Sequence, residues 1–193
     1  RSLHSYNIMI DLKKARLPEA VEVEGSLYYI QTSFKYWLRF LELLENKDVT
    51  LNDFDFMYRN SKPSNRQDGI LALMQFCNPP EVLPRFRESE GDGKVVDYII
   101  DADYIYSAFL EQYGIDLITS NMHWYKFQAL FRGLHDTKLN EIIGYRLYKH
   151  TSGKKDSYVR HMEKLRSAWE LPTNIDEDDE DLKDFENKLR GAK

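Results

Sequence analysis

The sequence predicts a mainly helical α+β fold: a helical domain with a small N-terminal β-hairpin and an acidic C-terminal tail. Three observations predict it. Apolar residues alternate with a period of two near residue 20 and then switch to helical spacing near residue 32. Prolines and glycines punctuate the rest into helix-length pieces. Finally, Asp176 to Asp181 (DEDDED) is an unbroken acidic run, which repels itself and favours solvation.

The hairpin comes first. Val21 and Val23 alternate with Glu22 and Glu24, Gly25 supplies a turn, and Leu27-Tyr28-Tyr29-Ile30 returns as a β-prone strand. Thr32 or Ser33 is then expected to cap a helix whose Phe34, Trp37, Leu38, Leu41 and Leu44 form one stripe, ending about Asn46. Residues 47–66 are polar, with a weak helical patch over 51–58, and a second helix is expected over 67–76 with Ile70, Leu71, Leu73 and Met74 inside. Asn78-Pro79-Pro80 stops it, and a mobile loop is expected over about 78–95.

The second half is punctuated more sharply. Asp101 or Asp103 is expected to cap a helix carrying Ile105, Ala108, Phe109 and Tyr113, with Gly114 in the left-handed position behind it. After the connector 115–118, Ser120 or Asn121 is expected to cap a helix with Trp124, Phe127, Leu130 and Phe131 on one side, ending at Gly133. Tyr125 and Gln128 are expected to point elsewhere. Thr137 opens a shorter helix with Leu139, Ile142 and Ile143 inside and Gly144 close behind. A last long helix covers about 154–169 and stops at Pro172, and 182–190 is a candidate terminal helix. This divides the chain into one domain, residues 1–172, and an acidic tail, 173–193.

Composition bounds the function. The chain has 193 residues, 42% of them hydrophobic and 31% charged, with a net charge of −5, a globular balance. The longest apolar run is Ile70 to Met74, far short of the roughly 20 residues of a spanning helix. The start of the chain lacks the apolar core of a secretory signal, and the single Cys77 excludes an internal disulfide. Together these predict a cytoplasmic protein with no membrane partner. Thirteen Tyr, ten Phe and three Trp make it rich in the residues favoured in cores and at interfaces.

Catalytic and cofactor chemistry finds little support. The glycines are scattered and Gly91-Asp92-Gly93 lies in an acidic loop, so no phosphate cradle is expected. No two of His4, His123, His135, His150 and His161 have the i, i+4 spacing of a zinc-binding helix. The carboxylates of Asp97, Asp101 and Asp103 are better explained by helix capping than by acid–base work. The reading is therefore of a non-enzyme with no catalytic, cofactor or metal site. One different class stays open: residues 145–166 interleave Arg146, Lys149, Lys154, Lys155, Arg160, Lys164 and Arg166 with Tyr145, Tyr148 and Tyr158. Such a pattern suits nucleic acid, although the acidic overall balance and the acidic run oppose it.

The most distinctive stretch runs from Asp103 to Arg146, with DYIYSAFLEQYGIDL, MHWYKFQALFRGL and TKLNEIIGYR. Together with PEAVEVEGSLYYIQTSFKYWLRFLELL over 18–44, it resembles the bacteriophage gene-product-fifteen family of tail modules in phages and prophages of Gram-positive bacteria. Many members carry two tryptophans where this chain has Trp124-Tyr125. The resemblance implies a non-enzymatic tail morphogenesis protein encoded where tail assembly chaperones are found, just upstream of the tape-measure gene. Its expected partners are the tape-measure protein and the tail-tube protein, with self-association as a further expectation, in the cytoplasm of the bacterial host. A structural tail or connector component is the same-class alternative. Trp124, Tyr125, Phe127, Phe131, Tyr145 and Arg146 are the residues expected to bind the partner, as aromatic and arginine hot spots.

Overall fold

Residues 24 and 25 decide the first element. Both have positive φ, 50° at Glu24 and 75° at Gly25, the geometry that two-residue hairpin turns need to match strand twist. In the computed structural model, which describes residues 10–78, 94–150 and 156–172, the turn joins β1 (Ala20–Val23) to β2 (Ser26–Tyr29). The strands are antiparallel, with Ala20 opposite Tyr29 and Val23 opposite Ser26. The predicted alternation is realised: Val21 and Val23 are buried and Glu22 is exposed. Six α-helices and one 3-10 helix make up the remaining regular structure among the described residues. The fold is thus mainly helical with one small hairpin. The expected loop over 78–95, the acidic tail and the 182–190 helix lie wholly or almost wholly outside the described residues.

Chain contacts divide the described residues into two compact units, 10–78 with 121–128, and 94–120 with 129–150 and 156–172. In the first unit, α1 (Phe34–Leu44) buries Phe34, Trp37 and Phe40. The predicted stripe is rotated: Leu38, Leu41 and Leu44 are only half-buried. Ser33 stands at the cap position, but its side chain makes no capping bond. Backbone from elsewhere takes over, because the Phe34 N–H donates to Met122 O at 2.9 Å and the Trp124 N–H to Thr32 O at 2.7 Å.

The weak helical patch is a 3-10 helix, Leu51–Met57. Phe54 and Met57 are its buried residues, and a spacing of three suits the three-residue turn of that helix. A reciprocal Thr50–Asp53 capping box starts it. α2 (Arg66–Cys77) is capped by Asn65, whose side chain accepts from the Asp68 N–H. Its buried face is Gly69, Ile70, Leu73, Phe76 and Cys77. Leu71 and Met74, expected inside, are half-buried, while Phe76 and Cys77 join the core. Gly69 allows a close approach: a Cβ there would sit 2.6 Å from the Pro63 ring and 2.7 Å from the Tyr58 hydroxyl.

In the second unit, α3 (Ala102–Tyr113) ends as predicted at Gly114, φ 64°. Asp101 stands at the cap position but its side chain accepts no capping bond; the carboxylate is engaged elsewhere, as described below. α4 (Trp124–Gly133) begins in the first unit and ends in the second. Its cap is neither Ser120 nor Asn121 but His123, whose carbonyl accepts from the Phe127 N–H and whose ring accepts from the Tyr125 N–H. α5 (Lys138–Arg146) starts at Thr137 in a capping box with Asn140 and buries Leu139 and Ile142. It runs through Gly144 rather than stopping there, since a helical glycine costs only about 1 kcal/mol and Arg146 anchors the last turn. α6 (Asp156–Trp169) buries Val159 and half-buries Met162, Leu165 and Trp169 on the same side.

Candidate partner-binding surface

The six residues expected to meet a partner fall three to each unit. In the first unit, Trp124, Tyr125 and Phe127 occupy the opening turn of α4, and all three are buried, at 1%, 2% and 1% exposure. Phe127 lies face to face with Phe34, centroids 4.8 Å apart and planes within 5°. Tyr125 stacks on Phe76 at 4.6 Å, and Phe76 in turn stacks on Trp37 at 5.0 Å. Trp124 donates its indole N–H to the Cys77 carbonyl at 2.9 Å, and the Gln128 amide donates to the same oxygen at 3.1 Å. These two bonds satisfy a carbonyl at the end of α2 that the helix itself leaves open.

This corrects the expected exposure of Tyr125 and Gln128. A helix presents only one stripe to a single neighbour, but here α1 and α2 supply contacts on two sides, so residues adjacent in sequence are both enclosed. Burial pushes the Tyr125 hydroxyl up from its ordinary value and the Cys77 thiol up to about 12. The thiol is therefore protonated at neutral pH, and the nucleophile is the thiolate.

In the second unit, Arg146 is buried rather than presented to solvent. Its guanidinium pairs in two-pronged fashion with Asp101, Nη1 to Oδ2 at 2.6 Å and Nη2 to Oδ1 at 2.8 Å. The two side chains are 8% and 2% exposed. Nη1 also donates to the Val95 carbonyl at 2.8 Å and Nε to the Trp169 carbonyl at 2.7 Å. Asp101 Oδ2 further accepts from the Asp97 N–H at 2.9 Å. One side chain thus ties the end of α5 to the start of α3, the end of α6 and the segment at Val95. The planar fork of arginine suits this role, since it meets a carboxylate through two parallel bonds. The pair is 45 residues apart in sequence, so no local spacing announces it.

Phe131 and Tyr145 are half-buried. Phe131 leans on Tyr98 with centroids 5.8 Å apart. Tyr145 belongs to a surface group on α5 and α6: Lys138 Nζ lies 5.7 Å from the Tyr145 ring and 5.7 Å from the Trp169 ring. Lys138 also pairs with Glu141 at 2.6 Å, and Tyr104 meets Trp169 edge-on at 5.6 Å. Of the six expected residues, these two alone offer ring surface to a partner.

The basic stretch is less available than its composition suggests. Arg146 is spent on Asp101, Arg166 donates to the Tyr148 carbonyl at 3.3 Å and Arg160 to the Asp156 carbonyl at 3.3 Å. Tyr148 and Tyr158 pack edge-on against one another. Lys154 and Lys155 lie outside the described residues. Among the described residues there is no grouping of three or more His, Cys, Asp or Glu side chains able to hold a metal ion. No described helix is long and apolar enough to cross a membrane.

No curated protein and no solved structure matches the chain. A family model described as Bacteriophage Gp15 protein matches residues 14–171, which includes every element described above. On that coverage, the chain belongs to the bacteriophage Gp15 protein family.

Proposed function

We propose that this phage protein is a non-enzymatic tail-morphogenesis factor, acting as a tail assembly chaperone that binds the tape-measure protein. The observation that carries the reading is the family match over residues 14–171. Two further features support it. The aromatic residues are largely spent on a core that holds helices together, so the fold reads as a scaffold. Outside that core, large apolar side chains stand exposed, among them Leu27 and Tyr29 in the first unit and Ile99, Ile100 and Ile118 in the second. A protein that shields amphipathic helices needs such surface. Nucleic acid is the weaker partner, because three of the arginines proposed for it are turned to acceptors of the chain itself.

The test is co-expression of the full chain with the tape-measure protein of the same phage. The reading expects a complex that survives purification and keeps the tape-measure protein in the soluble fraction. Absence of any complex, or tight DNA binding that weakens steeply with salt, contradicts it.

A further inference from the structure

In the first unit, both ring nitrogens of His123 are committed to backbone groups of fixed polarity. Nδ1 lies 3.1 Å from the Tyr125 backbone nitrogen, and Nε2 lies 2.9 Å from the Pro18 carbonyl oxygen. A backbone N–H only donates and a carbonyl only accepts. Nδ1 is therefore the acceptor and Nε2 carries the proton, so the fold selects the neutral Nε2–H tautomer. The first bond caps α4 at its second residue; the second reaches 105 residues back to the segment that enters β1. The backbone of the same residue bridges Ser33 in an antiparallel pair.

We propose that His123 is a proton-sensitive latch: neutral, it clamps Pro18 to the first turn of α4, and a proton taken from solvent onto Nδ1 opens the α4 side of the clamp. The added N–H would face the N–H of Tyr125, two donors with no acceptor between them. It would also place a cation at a helix N-terminus, where the helix dipole favours anions. The Nε2–H bond to the Pro18 carbonyl persists and favours the cation, so the opening is one-sided.

Glu19, next to Pro18, favours the cation, but it is ion-paired to Arg59 at 2.9 Å. Arg59 and Lys126 disfavour the cation. From α4 the Tyr125 ring meets the imidazole edge-on at 5.3 Å, and from α2 the uncharged Phe76 ring lies 6.2 Å away. Burial is the largest influence and lowers the imidazole from its ordinary 6.5. The sign follows: as pH falls below 6.5 the unfolded chain takes up the proton first, so stability is full above that value and is lost on acidification. Each full unit of lowering corresponds to about a tenfold loss in the folded-to-unfolded ratio. The carboxylates Asp53, Asp97 and Glu141 are lowered from ordinary values of 3.8, 3.8 and 4.5, so their window lies at more acid pH.

Nitrogen-15 NMR of the imidazoles in the full chain tests this without a variant. The expected result is an Nε2–H tautomer for His123 near pH 8, a midpoint below 6.5, and a Tyr125 amide resonance that moves with the same midpoint. An Nδ1–H tautomer, or a midpoint at or above 6.5, overturns the proposal. His123→Asn gives a second measurement, since asparagine is a strong N-cap acceptor that cannot be protonated. Urea midpoints are expected to fall between about pH 7 and about pH 5 in the wild type and to fall less in H123N. Equal pH slopes in the two proteins would also overturn the proposal.

Discussion

Replacing Arg146 by methionine keeps an unbranched apolar stem and removes the guanidinium with its charge, leaving the Asp101 carboxylate buried with a single remaining donor, the Asp97 N–H. Four hydrogen bonds disappear: two to Asp101 and one each to the carbonyls of Val95 and Trp169. Stranding one member of a buried pair costs about 3–5 kcal/mol. The two backbone carbonyls add to this only where water fails to reach them. Taking the pair alone, a chain of this length should lose roughly 6–20 °C of melting temperature. Asp101→Asn should cost less, because the amide still accepts at one oxygen. Removing both charges, Arg146→Met with Asp101→Leu, should recover part of the loss, as paired replacement of buried ions often does. Urea unfolding followed by circular dichroism measures all three, and the double-mutant cycle gives the coupling. A single Arg146→Met cost below about 1 kcal/mol, with no coupling, would refute the reasoning and return Arg146 to the surface as a partner contact.

Three further outcomes follow from the same packing. Tyr125→Ala should destabilise by about 3–5 kcal/mol as a core truncation, while Tyr125→Phe should stay within about 1.5 kcal/mol; thermal unfolding beside partner binding separates this from a surface hot spot, which loses affinity and keeps its fold. Gly69→Ala should cost about 1–3 kcal/mol, because the new methyl would meet the Pro63 ring at 2.6 Å, and a neutral result in urea would mean that segment yields. The buried Cys77 thiol, pushed up to about 12, should resist a disulfide reagent in the native state and react fully in denaturant, while rapid native labelling at pH 8 would contradict its burial.

Local signals carried much of the fold. The turn at Gly25, the switch of period after Thr32, the left-handed Gly114 and the Thr137 cap each act over a few residues, and each stands where the sequence puts it. What the sequence concealed is long-range. Ser33 has the chemistry of a cap, yet α1 is closed by backbone around Met122, almost 90 residues away, and no periodicity encodes such a meeting. Asp101 has the chemistry of a cap too, but a buried guanidinium competes for the same carboxylate and wins with two short bonds. The exposure expected of Tyr125 is overturned for a related reason. A lone helix has one wet face, which predicts Tyr125 outside; α1 and α2 enclose the start of α4, and that face is dry. Phe131 and Tyr145 were legible as aromatic and remain the accessible pair.

Inactivating the gene in the phage or prophage that carries it tests the role in morphogenesis most directly, with the particles in the lysate viewed by electron microscopy. The account predicts heads without tails and an insoluble tape-measure protein, both restored when the chain is supplied in trans. Tails of normal length and number in its absence would contradict it.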